Sequence, residues 1–452
     1  MSKQRLTRRS FLQSSAIFST GVLLAACTPA PSAVPQAGVP EQEAAQPSTD
    51  VTTIDYWSPI SPSGGAGEAK QQLVDEFNAS QGAIQVQLTY VPMSGQTQLS
   101  EKLMTSIAAG APPDCAYFDR FLTATWAEEE SFTDLTDLAE ASGITEDSYY
   151  PFAWKEAVYK DKLWGIPFQT GVRAFYWRKD LFEEAGLDPE TPPVYIDELD
   201  AMAEKLFKIE GPRMVQMGFV PWLFQGFIYT YGWAWDGHFY NPETLEVTVN
   251  EPRIVAATEW IASYAEKYDV TSVESFSQAF GQEAQDPFIA GLLAMKVDGT
   301  WVANDMERFG PDVPYGASVI PYPRDGGRES SWAGGFALVM PRGAAHVEET
   351  WEWFLFMNRP ESEVLYCTMA GQLPVRPTAA EDPWFNRDEV RSLYVDLLAF
   401  SDSRPPLPIG QLLWNGLNDA RDAVIHNKAT PQEALDKLND EANAAMQKAL
   451  AG

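Results

Sequence analysis

Between Thr53 and Phe118 the spacing of apolar positions switches from two to about four and back. Thr53–Trp57 is a short strand-like piece. Ala69, Leu73 and Phe77 then recur every four residues, as one face of a helix does. Ile84, Val86, Leu88 and Tyr90 alternate with polar residues and predict a strand. Leu99, Leu103 and Ile107 mark a second helix, which Ala111-Pro112-Pro113 ends before a third strand, Asp114–Phe118. The order β-α-β-α-β with helix-length crossovers predicts parallel strands covered on both faces. Ligands of such open sheets sit beyond the carboxyl ends of the strands. That rule points to Trp57 and Ser58 after the first strand, and to Asp119 and Arg120 after the third.

The pattern then changes at Tyr159–Gly186. Gly165, Pro167 and Gly171 punctuate two strand-like pieces, Lys162–Ile166 and Arg173–Trp177. A charged helix, Lys179–Ala185, stops at Gly186. A strand that leaves one unit and re-emerges as the first strand of another is what a two-domain hinge needs. Gln169 and Arg173 sit on that segment. Downstream, Leu199, Met202, Ala203 and Leu206 share one face of a helix over Tyr195–Ile209, and Val215–Val220 reads as a strand. Pro221–Tyr231 reads as helical and carries Trp222. Trp233 and Trp235 follow in an aromatic and glycine-rich stretch. Ile254–Lys267 is an amphipathic helix. Leu292–Val297 predicts a strand, Asp298-Gly299 a turn, and Trp301 the start of a helix. Tyr315–Ile320 and Ser331–Met340 are strands, the latter with Trp332 and Gly334. Thr350–Met357, Leu412–His426 and Pro431–Leu450 are helices, and no repeat of fixed period occurs.

Length and composition refine this picture. A chain of 452 residues with 45% apolar content suits two domains and excludes global disorder. A formal charge of −31 repels phosphate backbones and anionic lipid, which argues against nucleic-acid binding. Three cysteines and three histidines leave little room for metal chemistry. No metal site or cofactor motif is present, and neither G-x-S-x-G nor H-E-x-x-H occurs. Cys115 and Cys367 are either buried thiols or a disulfide, if folding brings them together.

The first 27 residues read as an export signal, with basic Lys3–Arg9 ahead of apolar Ala16–Ala26, which is too short to span a bilayer permanently. Thr28–Asp50 holds five prolines and no aromatic residue, and predicts a disordered tether with a reach of roughly 25 Å.

Several stretches resemble one known family. Thr7-Arg8-Arg9-Ser10-Phe11-Leu12-Gln13 resembles the twin-arginine export consensus, and Leu24-Ala25-Ala26-Cys27 resembles a lipoprotein lipobox. By that resemblance Cys27 becomes the lipid-bearing first residue of the mature chain. Tyr159–Gly186 resembles the interdomain crossing of bacterial extracellular solute-binding proteins, the sugar-binding family of ABC importers. Pro113–Asp119, Phe132–Leu138, Phe288–Met306, the Gly334-Gly335 strand and Gly371–Arg376 resemble further segments of that family. Tyr231–His238 departs from it, with aromatics where the family has small residues.

The resemblance implies an α/β, two-lobed periplasmic-binding-protein fold of type II. Each lobe would be a mostly parallel sheet flanked by helices, with three hinge crossings. The expected ranges are 51–168 plus 300–332 for the first lobe and 172–298 plus 336–452 for the second, after a signal over 1–27 and a tether over 28–50. The implied function is capture of a mono- or oligosaccharide, not catalysis, by a monomer held outside the cytoplasm through its lipid and delivering ligand to an ABC permease. Aromatic platforms would come from Trp57, Trp222, Trp233, Trp235, Trp301 and Trp332. Hydrogen bonds would come from Ser58, Asp119, Arg120, Gln169, Arg173 and Asp298, with Gly334 and Arg376 beside them. Three alternatives remain open on the sequence: a binder of another polar solute such as a glycerophosphodiester, an exported glycoside hydrolase, and a structural surface lipoprotein.

Overall fold

The computed structural model describes residues 51–92, 98–211, 213–278 and 285–451. The signal, Cys27 and the tether lie outside them. The β-α-β-α-β start is present as β1 (Thr52–Ser58), α1 (Gly65–Ser80), β2 (Ile84–Tyr90), α2 (Gln98–Ala108) and β3 (Cys115–Asp119). β1 lies between β2 and β3 and pairs with both in parallel. Alternation sends Tyr56, Cys115 and Tyr117 into one hydrophobic cluster and Ala116 and Phe118 into another.

The hinge segment folds as two strands, β4 (Ile166–Gly171) and β5 (Arg173–Arg178), buried along their whole length. Burial on both faces explains why their sequence shows no polar alternation. β5 is the centre of a second sheet. Between it and β6 (Met295–Gly299) the chain forms α3 (Ile228–Ala234) and α4 (Pro252–Lys267), and α5 (Val302–Phe309) then leads to β7 (Tyr315–Ser318). Both β6 and β7 flank β5 antiparallel. Parallel strands are expected in each lobe, but the named strands of this sheet pair antiparallel, and parallel pairing beside them is limited to the isolated bridges Met217–Leu293 and Tyr195–Tyr322 among the described residues. The physical reason is the route. β6 arrives after a long excursion and runs back toward the hinge, so no right-handed βαβ unit forms around β5.

β8 (Ser331–Val339) pairs antiparallel with β3 and β4, and its first residues pair in parallel with β9 (Ser401–Ser403). This removes one of the three expected crossings from its place. Asp298–Trp301 does not return the chain to the first sheet, because β7 pairs with β5 again. The passage runs instead along β8, where Gly334 faces Gly171 and Phe336 faces Asp119. Gly335 permits this close pairing: a Cβ there would sit 2.0 Å from the Gln169 carbonyl oxygen. The expected lobe ranges therefore do not follow the sheets. Residues 315–318 belong with β5 and residues 336–339 with β3. After β8, α6 (Val347–Met357) and α7 (Pro360–Ala370) supply Trp353 and Tyr366 to the cluster holding Ile54 and Tyr56. α8 (Gly410–Ile425) and α9 (Pro431–Ala451) pack on α4.

Since β8 separates β3 from β4, a fragment ending at residue 170 would leave both strand edges unpaired. Such a fragment is expected not to form a soluble body with a cooperative melting transition. Calorimetry of residues 51–170 checks this.

Cys115 and Cys367 are buried free thiols. Near them lies Lys70, also buried, whose ammonium donates to the Tyr56 hydroxyl at 3.2 Å and stands 3.1 Å from the centre of the Tyr117 ring. Tyr366 and the Cys367 thiol complete its surroundings. Burial pushes the Lys70 amine well below its ordinary value, with only Cys367 opposing. The unfolded chain thus holds this proton more tightly than the native one. Stability contributed by the site rises as pH climbs toward the ordinary lysine value and falls below it. Lys70→Met is expected to flatten the rise in melting temperature between pH 6 and 10, compared with wild type in the same buffers.

Candidate functional site

A cavity of about 850 Å³ opens where the crossing strands meet. Phe118 and Asp119 reach it from the end of β3, Gln169 from β4, Arg173 from the start of β5, and Asp298 from the end of β6. Trp301, Trp332, Gly334, Arg404 and Trp414 complete the inner wall.

Two buried arginines dominate this wall. Arg404 donates to Asp119 at 2.8 Å and lies over the Phe121 ring at 3.5 Å. Arg173 donates to the Gln225 side chain at 2.9 Å and to the Gly171 carbonyl at 3.1 Å, and stands 4.2 Å from the Trp332 ring centre. Among the described residues, Arg173 has no carboxylate in ion-pair range. Burial, reinforced by the like charge of Arg404, lowers its guanidinium to about 9, although Asp298 and Asp119 oppose. Near the start of β6, Lys296 is bound by both Asp298, at 2.9 Å, and Asp286. Burial opposes its charge, but the two carboxylates outweigh that and hold the ammonium above its ordinary value. Burial also pushes Asp298 up, with Lys296 offsetting and Asp286 adding to the rise. Three cations thus meet three carboxylates here, while Asp305, Glu307 and Arg308 also border the cavity.

Among the described residues, four buried polar atoms on residues bordering the cavity have no hydrogen-bond partner: Gln169 Oε1, Trp332 Nε1, Arg404 Nε and Gln411 Oε1. Such groups are costly unless a ligand or solvent satisfies them. The same cavity is lined by Trp301, Trp332 and Trp414, an arrangement suited to a solute with both apolar faces and hydroxyls.

Of the residues singled out in the sequence, the fold brings Asp119, Gln169, Arg173, Asp298, Trp301, Trp332 and Gly334 to this cavity. The others lie elsewhere. Arg120 is buried behind the wall, bound to Glu156 at 2.7 Å and to the Gln169 carbonyl at 2.8 Å. Trp57 turns back along its strand to Asp55 at 2.7 Å, because the indole follows the pleat away from the strand end. Ser58 is buried and accepts from the Ile60 amide at 3.3 Å. Trp222 and Trp233 belong to the hydrophobic core, and Trp235 packs on Trp260 with ring centres 5.3 Å apart. The helix expected from Pro221 starts only at Ile228. Arg376 donates to the Tyr149 hydroxyl at 3.1 Å.

Sequence reading missed Arg404, Trp414, Gln225 and Phe224, which all border the cavity. Arg404 follows β9, a three-residue strand without a pattern of its own. Trp414 sits among the apolar positions of α8 and reads there as core.

Among the described residues no helix is long and apolar enough to cross a membrane, and no group of three His, Cys, Asp or Glu could hold a metal ion.

A family profile described as "bacterial extracellular solute-binding protein" matches residues 72–391. A solved structure named "CpMnBP1 with Mannobiose Bound" is 26% identical, covers 86% of this chain and 99% of its own, and superposes with a TM-score of 0.79. A solute-binding protein of Thermotoga lettingae TMO, bound with α-D-tagatose, is 21% identical over 87% of this chain and 100% of its own, with a TM-score of 0.76. The sn-glycerol-3-phosphate-binding periplasmic protein UgpB of Escherichia coli K12 is 24% identical over 88% of this chain and 93% of its own.

Proposed function

The chain belongs to the bacterial extracellular solute-binding protein family, and on that premise we propose that it captures a mono- or oligosaccharide for an ABC importer. The observation that carries the sugar reading is the cavity wall, where Asp119, Asp298 and Gln169 share the lining with Trp332, Trp301 and Trp414. Asp119 and Asp298 suit vicinal hydroxyls, since one carboxylate accepts from two donors. Indole faces suit the CH-rich face of a sugar ring. The mannobiose-bound relative supports the same reading.

The second reading is an anionic solute such as a glycerophosphodiester, favoured by the resemblance to UgpB and by the unpaired Arg173. The charge balance speaks against it. The cavity is bordered by five carboxylates and three arginines, which together repel an anion. The family consists of binding proteins, so no catalytic role is assigned.

In the proposed mechanism the ligand bridges the two sheets at the crossings and stabilises a closed arrangement by its differential contacts. The closed form then docks on the permease. Cys27 carries lipid at the outer face of the membrane, on the strength of its lipobox-like context, and the tether lets a monomeric body reach the permease. A Cys27→Ala chain is expected to lose detergent-phase partitioning. Mass spectrometry of the wild-type N-terminal peptide reads the lipid directly.

A thermal-shift screen decides between the two ligand classes, because a ligand that binds only the native state raises the melting temperature by mass action. Stabilisation by mannobiose, mannotriose or D-tagatose, but not by sn-glycerol 3-phosphate, is the expected result. The reverse pattern overturns the carbohydrate reading.

A further inference from the structure

Phe224 occupies a backbone conformation that its side chain makes costly. Its φ is +55°. Among the described residues, the other non-glycine residues with positive φ are Glu130, Lys160, Asp161, Asp236, Leu245 and Asn427. Phe224 alone of the seven is aromatic, and it alone borders the cavity. Left-handed backbone is disfavoured for L-residues and is a genuine outlier for bulky ones. Strain of this kind persists only where its surroundings over-determine it, and it clusters at ligand clamps.

Those surroundings are present here. The next residue, Gln225, donates its amide to the Val297 carbonyl on β6 at 3.1 Å. Its own carbonyl accepts from the Thr230 hydroxyl at 2.7 Å, and its side chain receives Arg173 at 2.9 Å. Gly226 closes the turn so tightly that a Cβ there would lie 1.8 Å from the Pro221 carbonyl oxygen. The Phe224 ring takes the Lys296 ammonium at 4.6 Å from its centroid. A glycine at position 224 would relieve the backbone at no cost to these bonds, yet the chain places there a half-buried ring on the cavity wall.

We infer that Phe224 is a ligand-contacting platform of the cavity, held in strained backbone by the Val220–Phe227 turn so that its ring meets the bound sugar. This rests on the carbohydrate reading above. The ring supplies an apolar face on the wall that carries Lys296 and Asp298, and Gln225 joins the turn to Arg173. Specificity for ring orientation then comes from a segment that reads in sequence as an ordinary helix start.

The test uses the full chain with Phe224→Ala and Phe224→Gly, and Leu245→Gly as a control for positive φ far from the cavity. Each variant is melted without ligand and titrated with mannobiose, mannotriose and D-tagatose. Both Phe224 variants lack the ring, so their difference isolates the backbone. At an ordinary position alanine is the more stable, and at a left-handed one glycine is. Phe224→Gly is expected to melt higher than Phe224→Ala, and both to bind the sugar preferred by wild type at least tenfold more weakly. Leu245→Gly is expected to bind as wild type does. Wild-type affinity in Phe224→Ala overturns the platform alone. A higher melting temperature for alanine than for glycine overturns the strain. Failure of wild type to bind any of the three sugars overturns the carbohydrate reading, and the Phe224 assignment with it.

Discussion

Trp332→Ala is expected to destabilise the protein by about 3–5 kcal/mol, the usual cost of truncating a large buried aromatic, and to abolish measurable sugar binding. The indole is 2% exposed. It lies within 6.5 Å, centre to centre, of Phe227, Tyr229, Trp233 and Trp414. The same side chain faces Arg173 and Arg404, at 4.2 and 5.0 Å. Its removal opens a void between β8, α3 and α8 and takes away the surface on which both guanidinium groups rest. Chemical denaturation reads the first effect and calorimetric titration the second. Trp332→Phe refills most of the volume and should recover much of the stability while lacking the indole donor, so binding stays weakened.

Arg120→Met is expected to destabilise by about 3–5 kcal/mol because it leaves the Glu156 carboxylate buried without its partner. Both side chains of the pair are almost fully buried, at 0% and 1% exposure. Burial already pushes Glu156 up, with Arg120 the main opposing charge, followed by Arg404. The double change Arg120→Met with Glu156→Leu removes both charges and should restore most of the loss, since a buried pair is often replaceable by apolar residues of similar size. The sequence suggests a ligand contact for Arg120. The structure makes it a strut under Gln169, whose carbonyl it holds at 2.8 Å. If Arg120 touched ligand directly, the rescued double variant would still fail to bind; if it is a strut, that variant binds once refolded.

How much of this was legible in the sequence depended on the kind of signal. The start of the chain was readable because period two and period four alternate cleanly there, and β1, β2 and α1 fall where the apolar positions place them. β5 was readable through its flanking glycine and through resemblance, whereas the strand expected over Lys162–Ile166 is a two-residue strand, Lys162–Leu163, and β4 begins only at Ile166, because burial throughout leaves no periodicity to read. The return to the first sheet was not readable. Whether Asp298–Trp301 or Ser331–Gly335 leads back to the first sheet depends on which strand β7 pairs with, and that choice lies in long-range contacts. The site follows the same division. Gln169 and Arg173 lie on the hinge and were found; Asp298 and Trp332 were found for their residue type. Trp233 misled because an indole reads the same in a core as on a platform. Arg404 stayed hidden because nothing local marks a residue after a three-residue strand as part of a cleft.

The most direct test of ligand capture between two sheets joined through β4–β5 and β8 is solution X-ray scattering of the 51–452 body. It would be recorded with and without the sugar that gives the largest thermal shift. A smaller radius of gyration at saturation is the result expected of lobes closing over a bound solute. An unchanged radius at full occupancy, shown by calorimetry on the same sample, would contradict it.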